Sequence, residues 1–257
     1  MKLKKSLKRF ILYLLSDLSK SFSCLQSKFH EVLKDCIISR LNGLKRNFKI
    51  INGFTEVPQE FVEFTKNNLE KKSVSRSHNK KSALSKSFHY ENIPNCFQNI
   101  IKENSQFIKC YLGNKIVYDS VVSWRLFHVD KEFEGFDIFS NVWHQDSHDG
   151  NRLLKIFLLI EEVREKDGPF HWIDEKSTKK NWDSLVERWT FKNFKETKSY
   201  KEQNILTGVK GDYLILDTSR CMHRDSNPIH TRDIASITLY PNWRNNKNRR
   251  FLDLSRL

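Results

Sequence analysis

Two different hydrophobic patterns divide the chain near residue 115. Before it, apolar residues recur at steps of three and four, the spacing of an amphipathic helix. They form a long stripe over residues 3–37, and shorter stretches of the same kind follow at 59–69 and 94–109. After it, short runs of β-branched and aromatic residues alternate with turns, which is typical of a sandwich or barrel. The chain therefore predicts an α+β fold with N-terminal helices packed outside a β-barrel.

Four segments of the second part are predicted to be strands: 116–128, 153–160, 211–217 and 234–240. The run 153–160 is apolar except at Lys155, as expected of a strand buried on both faces. The strand at 234–240 runs into Pro241, and we predict that it is the last one. The Ser/Lys-rich residues 70–88 predict a mobile loop, and residues 182–194 predict a helical or irregular insert.

The net charge of +14 is concentrated at one end of the chain. Residues 1–50 hold 12 basic and three acidic side chains, a net +9, and the other 207 residues hold 33 basic and 28 acidic ones, a net +5. We predict a basic amphipathic helical extension over 1–50 and one domain over 51–257, with its barrel core at about 115–243. The helical stripe could pack on the body, pair with a second subunit or lie in a membrane interface, and its lysines could equally be a solvated face.

Cysteine usage and hydropathy predict the compartment. The five cysteines form no C-x-x-C pair and are odd in number, which favours a reducing, intracellular environment over a disulfide framework. No apolar run approaches the roughly 20 residues that span a bilayer. The short apolar run 10–15 follows basic residues but lacks a small-residue cleavage site, so we expect no secretion. A cytoplasmic protein is predicted, with peripheral membrane contact through residues 1–37 as an option.

The chemistry of the chain centres on a His-x-Asp triplet and a later histidine. His144 and Asp146 have the spacing of alternate strand positions, which places both side chains on one face. His223 follows the predicted strand 211–217, where a barrel could return it to the same mouth. Two imidazoles and one carboxylate form the donor set that holds non-haem Fe(II) and leaves other coordination positions open. We predict these three residues as metal ligands.

Two basic residues in apolar surroundings are candidates for binding an anion. Arg232 enters the strand 234–240, and its planar guanidinium matches a carboxylate bidentately. A salt bridge to Asp225 or Asp233 is the alternative for Arg232. Lys155 could bind the same anion or extend to the surface. Other basic residues are weaker candidates for the site: Arg125, His148, His171 and His230.

Several ordered motifs together resemble the phytanoyl-CoA dioxygenase family. They are Trp143-His-Gln-Asp146, the strand 154–160, the segment 162–170, Gly211-Asp-Tyr-Leu-Ile-Leu-Asp-Thr-Ser219, His223 and Arg232. The resemblance covers about residues 115–243 and implies a double-stranded β-helix, a jelly-roll or cupin-like barrel. It implies Fe(II) bound by His144, Asp146 and His223. It also implies 2-oxoglutarate held at its distal carboxylate by Arg232, with Lys155 as a further contact, and O2 as the oxidant.

The reaction implied by this resemblance is hydroxylation of an unactivated C–H bond of a small molecule, with release of succinate and CO2. No catalytic residue beyond the metal ligands is implied. In halogenating relatives a small residue replaces the carboxylate at Asp146, so hydroxylation, or a related desaturation or cyclisation, is predicted here. The chain departs from the family at three places: Ile173–Ser177 replaces a Pro-Gly-Ser/Thr-His turn, Arg224-Asp225 replaces small residues, and Ile234 replaces a hydroxyl side chain.

The substrate and partners are less defined by the sequence. Arg125, Lys155 and Arg224 suggest an anionic or carrier-linked small molecule, no nucleic-acid partner is predicted for the enzyme, and the oligomeric state stays open. The alternative function is a non-catalytic or differently metallated cupin-like protein whose basic N-terminal helix docks on membrane or nucleic acid. That alternative predicts that binding to the membrane or nucleic acid weakens with added salt, and that there is no iron-dependent turnover.

Overall fold

The computed structural model describes residues 35–44, 49–72, 74–78, 82–129, 141–146, 152–181, 188–189 and 201–256. Within these ranges the helices are α1 (35–41), α2 (Gln59–Lys71), α3 (Asn95–Glu103), α4 (Ser105–Leu112) and α5 (Glu175–Asn181). The strands are β1 (Ile51–Phe54), β2 (Val74–His78), β3 (Ser82–His89), β4 (Lys115–Tyr118), β5 (Val122–Phe127), β6 (Trp143–His144), β7 (Leu154–Leu159), β8 (Phe170–Trp172), β9 (Arg188–Trp189), β10 (Asn204–Leu206), β11 (Asp212–Leu216), β12 (His223–Arg224), β13 (Thr231–Pro241) and β14 (Arg250–Asp253).

Prolines and an asparagine set the limits of the helices before the barrel. α2 and α3 begin directly after Pro58 and Pro94, whose fixed φ suits a helix start. The predicted helix over 94–109 is two helices, because the chain breaks at Asn104. The Asn104 side chain donates hydrogen bonds to the Ile100 carbonyl at 2.9 Å and to the Tyr213 hydroxyl at 3.0 Å. This side chain fixes the break against the barrel strand β11.

The described strands form two antiparallel sheets. The larger has nine strands, seven of them in the order β1-β11-β7-β13-β5-β3-β2, with β4 pairing with both β13 and β14. The smaller has the order β10-β8-β12-β6-β9. In both sheets the central strands alternate between early and late segments of the chain, which confirms the predicted double-stranded β-helix.

Alternation along β7 shows where the core lies. Ile156, Leu158 and Ile160 pack with apolar residues of α3 and α4 on the outer face of the large sheet. Phe157 and Leu159 face the other way and pack with residues of the small sheet between the two sheets. The helices therefore cover one face of the large sheet, as predicted, and leave the space between the sheets for the site.

The prediction of a loop over residues 70–88 is wrong. β2 and β3 form a hairpin there, and β3 pairs with β5 from Ser85–Leu126 to His89–Val122. Ser85 and Ser87 are buried in this sheet. A polar composition favours a loop only while no strand edge is available, and here the free edge of β5 supplies the backbone partners.

The prediction that 234–240 is the last strand is also wrong, because β14 follows it and pairs with β4. The predicted stripe over 3–37 lies outside the described residues except for 35–37, which are helical. The insert predicted over 182–194 also lies outside them, apart from β9. No described helix is both long and apolar enough to cross a bilayer.

A tight turn holds the end of the barrel where β8 begins. Gly168 has φ +71, and a Cβ on it would lie 2.6 Å from both the Pro228 nitrogen and the Ser226 carbonyl oxygen. Ser226 Oγ also donates a hydrogen bond to the Pro169 carbonyl at 2.7 Å. The loop before β8 and the loop before β13 are therefore in close backbone contact, and only glycine fits at their junction.

We expect Gly168→Ala to lower the free energy of unfolding by at least about 2 kcal/mol, because the new Cβ meets fixed backbone atoms as well as an unfavourable φ. Gly43→Ala is the matched control, with φ +63 and nothing within 4 Å of the added Cβ. It should cost only the penalty of the positive φ, about 1 to 2 kcal/mol, and less than Gly168→Ala. Urea unfolding of both variants measures the difference, and equal losses would contradict the packing argument.

Candidate metal centre

The small sheet brings the predicted ligands together. His144 on β6 and His223 on β12 are directly paired in the register, and their ring centroids lie 4.3 Å apart. Asp146 lies two residues beyond His144, after β6 has ended, so it is not on the strand as predicted. Its backbone N–H donates a hydrogen bond to the Thr218 carbonyl at 2.9 Å, which positions it beside the histidines. One donor atom from each of the three residues lies within 4.8 Å of the others.

Both imidazoles are oriented by main-chain carbonyls. His144 Nδ1 is 2.8 Å from the Val142 oxygen, and His223 Nδ1 is 3.0 Å from the Cys221 oxygen. A carbonyl only accepts a hydrogen bond, so each Nδ1 carries a hydrogen, and in the neutral form of such a ring the lone pair is on Nε2. The Nε2 atoms face Asp146, at 3.8 Å for His144 and 3.7 Å for His223. Metal-binding histidines typically have such an acceptor on the ring nitrogen that does not bind the metal.

The charge states of His223 and Asp146 also suit a cation. Burial, together with the neighbouring His144, lowers the pKa of His223 to about 3, so this ring is neutral at physiological pH. Burial alone would raise the pKa of Asp146, but opposing interactions, led by the positive charge of Lys155, hold that pKa well below its usual range. Asp146 is therefore an anion beside the neutral imidazole of His223, a protonation pattern that suits metal binding.

Lys155 and two aromatic rings form the wall beside the triad. Lys155 Nζ lies 3.4 Å from Asp146 Oδ2 and 5.4 Å from the centroid of the Phe157 ring. Phe170 lies 4.2 Å from Phe157 and 5.5 Å from His223, measured between ring centroids. The interior is thus apolar next to the ligands, with one ammonium group close to the carboxylate.

Arg232 lies at the start of β13 and is 1% exposed. Its Nη1 donates a hydrogen bond to the Gly168 carbonyl, and its Nη2 forms a salt bridge with Asp225. The buried Nε has no hydrogen-bond partner among the described residues. Asp233 pairs with Arg125 instead. The salt bridge considered as an alternative for Arg232 is therefore present, and the Nε N–H is still available to a ligand.

The other basic residues suggested for the site are not beside the triad. Arg224 follows His223 on β12 and faces away from it, over the Trp143 ring at 5.4 Å. His171 alternates with the inward Phe170 on β8 and contacts Gln203 and Ser226. Arg125 pairs with Asp233 and Glu70, and His230 is exposed. His148 lies outside the described residues. Of the three cations expected around a substrate, Lys155 alone is beside the ligands.

A buried carboxylate under the ligand loop was not identified from the sequence. Asp217 accepts hydrogen bonds from the Tyr111 hydroxyl at 2.5 Å and from the Ser219 backbone and side chain at 2.9 and 2.5 Å. The carbonyls of the next two residues bind Asp146 N–H and the Gln145 side chain. Asp217 therefore anchors the turn that positions Asp146. The sequence feature that could have pointed to Asp217 is an aspartate at the end of a strand with a serine two residues later. This is an ordinary turn pattern, so it did not single the residue out.

Neither the protein-family models nor the curated proteins compared with the chain match it. Among solved structures, the chain is similar to the non-heme alpha-ketoglutarate-dependent epimerase SnoN from nogalamycin biosynthesis. The identity is 10%, the TM-score is 0.53, and the match covers 80% of this chain and 84% of SnoN. The likeness to SnoN concerns the fold and supports the double-stranded β-helix.

Two further structures give lower scores. HygX from Streptomyces hygroscopicus, with nickel, 2-oxoglutarate and hygromycin B bound, is 11% identical with a TM-score of 0.47, and the match covers 82% of this chain and 87% of HygX. The apoform of EctD from S. alaskensis is 16% identical with a TM-score of 0.47, and the match covers 79% of this chain and 76% of EctD.

We expect His223→Ala to weaken Co(II) or Mn(II) binding by at least about 100-fold, because it removes one of three protein ligands. His171→Ala is the matched control, since it removes a partly buried histidine from the same sheet on the opposite face. Calorimetric titration of both variants measures the affinity. Equal loss in the two, or none in His223→Ala, would show that the triad does not hold the metal.

The stability of the protein should depend on pH through Asp217. Burial raises the pKa of Asp217 to about 6, although hydrogen bonds from Ser219 and Tyr111 oppose the shift. A pKa that is higher in the folded than in the unfolded chain favours folding at low pH, and the advantage disappears as the pH rises through 6. Relative to Asp217→Asn, the wild type should lose about 2 to 3 kcal/mol of unfolding free energy between about pH 4 and pH 7.

Urea unfolding across that pH range tests the prediction. Asp253→Asn is the control, because Asp253 accepts the same two hydrogen bonds from a serine two residues later but is only partly buried. If the free energy of unfolding changed with pH in the same way for the wild type and Asp217→Asn, the raised pKa of Asp217 would be contradicted.

Proposed function

We propose that the protein is an Fe(II)- and 2-oxoglutarate-dependent oxygenase that hydroxylates an unactivated C–H bond of a small molecule and releases succinate and CO2. The observation that carries the proposal is the convergence of His144, Asp146 and His223, with both Nδ1 atoms tied to backbone carbonyls. Two imidazoles and one carboxylate on one face suit Fe(II) and leave positions for other ligands. The fold shared with SnoN supports this reading of the triad.

Each residue of the site has a defined part in this proposal. His144, Asp146 and His223 hold the metal, and their main-chain contacts keep them oriented without rearrangement on binding. When bound, iron and 2-oxoglutarate supply oxygen activation, which no side chain of the protein can provide. Phe157 and Phe170 exclude water from the side of the site that they line.

The co-substrate is proposed to bind through Arg232 and Lys155. The buried Nε of Arg232 is a donor that lacks a partner among the described residues, and a buried donor of this kind is satisfied by a ligand acceptor. Lys155 lies beside Asp146 and adds positive charge where a keto acid would approach the metal. These features fit a dicarboxylate with one end at the triad and the other at β13.

The finer assignments belong to the same proposal. Membership of the phytanoyl-CoA dioxygenase family is supported by the ordered motifs from Trp143 to Arg232. Hydroxylation, rather than halogenation, is supported by the carboxylate at Asp146. A cytoplasmic protein with peripheral membrane contact through residues 1–37 is supported by the basic amphipathic pattern of that segment. The substrate is a small molecule, with no nucleic acid as partner.

We expect succinate to form only when Fe(II), 2-oxoglutarate and O2 are all present, and Arg232→Lys to raise the KM for 2-oxoglutarate by about tenfold or more. Lysine keeps the charge beside Asp225 but loses the planar, multidentate donor set of arginine. Anaerobic titration with Fe(II) and 2-oxoglutarate, followed by succinate assays over substrate classes, measures both effects.

Arg125→Lys is the control, because Arg125 lies on the neighbouring strand and pairs with Asp233 away from the triad. Its KM should not change. An unaltered KM in Arg232→Lys would favour the alternative, a cupin-like protein with another metal and no 2-oxoglutarate. Metal binding without any succinate formation would favour the same alternative.

A further inference from the structure

The far end of the proposed co-substrate site already contains a carboxylate. Asp225 Oδ1 accepts a hydrogen bond from Arg232 Nη2, and the two side chains form a salt bridge. Arg232 is almost completely buried, whereas the side chain of Asp225 is 26% exposed. The guanidinium is therefore neutralised by an internal partner that has partial access to solvent.

The surroundings of Arg232 leave it little freedom to move. Its Nη1 donates to the carbonyl of Gly168, the residue whose backbone touches Ser226 and Pro228. The Ile229 N–H also donates a hydrogen bond to the Lys166 carbonyl at 3.2 Å. The two loops hold the guanidinium between them, so any change at this end must come from the carboxylate rather than from the arginine.

Asp225 opposes the binding of a second carboxylate to Arg232, because it already lies against Nη2. Nη1 and Nη2 each donate one hydrogen bond, to Gly168 and to Asp225, and Nε has no partner among the described residues. A bidentate contact with an incoming carboxylate needs two adjacent donors on one edge of the guanidinium. That carboxylate would also lie close to the negative charge of Asp225, and two carboxylates in one site repel each other.

We infer that Asp225 is an internal competitor for the distal carboxylate of the co-substrate: it occupies Arg232 in the ligand-free protein and weakens the binding of a dicarboxylate there. The inference rests on the proposed function, because it concerns the same anion site. It assigns a role to a position where the phytanoyl-CoA dioxygenase family has a small residue. Asp225 lowers the affinity for 2-oxoglutarate without touching the metal.

The test compares the wild type with Asp225→Asn, both loaded with Mn(II) in place of iron and titrated anaerobically with 2-oxoglutarate by calorimetry. Asparagine keeps an oxygen that can accept from Arg232 but removes the competing charge. We expect the Kd for 2-oxoglutarate to fall by at least about fivefold. Pyruvate, which has the keto-acid end and no distal carboxylate, should bind both proteins equally.

Two controls separate this effect from others. Glu162→Gln removes an exposed carboxylate that pairs with Arg164, so it tests the loss of one negative charge without contact to Arg232. Its affinity for 2-oxoglutarate should match that of the wild type. Asp225→Ala is the second variant in case Asp225→Asn folds poorly. In either variant, a Mn(II) affinity equal to that of the wild type shows that the triad is intact.

The outcomes distinguish the inference from the proposed function. Tighter 2-oxoglutarate binding in Asp225→Asn, with pyruvate unchanged, supports the inference, even where the wild type binds too weakly to measure. Equal or weaker binding in the variant overturns the inference and leaves the proposed function standing, because Asp225 then merely positions Arg232. A tighter pyruvate complex would overturn it as well. No 2-oxoglutarate binding by either protein overturns both.

Discussion

The pairing of β6 with β12 is the contact on which the site depends. It places His144 directly opposite His223 and so sets the distance between the two imidazoles. Side chains alternate between the faces of a strand, so a shift of one residue would turn His223 outward and Arg224 inward. Each strand has only two residues, and the neighbouring contacts must therefore maintain the register. Two hydrogen bonds between the chain segments do so: Asp146 N–H donates to the Thr218 carbonyl, and the Gln145 side chain donates to the Ser219 carbonyl.

Buried charge is arranged in pairs at both ends of the space between the sheets. Asp146 lies beside Lys155 at the triad, and Asp225 lies beside Arg232 at the other end. Apolar side chains such as Phe157, Leu159 and Ile234 form the cluster between the sheets. An unpaired charge in such surroundings is costly, and a pair is costly to break from one side only. The charges at both ends of this space are therefore balanced by partners within the protein.

Much of this arrangement could be predicted from the sequence, because its parts are local. The runs around β7, β11 and β13 are apolar over strand length, and the His-x-Asp triplet indicates metal binding through its residue types and spacing alone. The loop prediction over 70–88 failed because the strand character of β3 comes from the edge of β5, distant along the chain. Asp217 was missed for a similar reason, since its partner Tyr111 comes from α4. Arg224 and Arg125 were placed wrongly because composition does not show which face of a strand is inward.

The two ends of the site differ in how firmly the fold holds them, and this difference bears on what each can recognise. At β13, Arg232 is held between two loops that meet at Gly168, so the position of its guanidinium is fixed by the fold. At the triad, the protein contributes three donors from one side, so a metal held there in the proposed function would keep positions open to exchangeable ligands. A rigid distal end suits an invariant co-substrate, whereas an open metal face suits a variable substrate. Under the proposed function, the choice of substrate would therefore depend on residues beyond the triad, and the choice of co-substrate on the partners of Arg232.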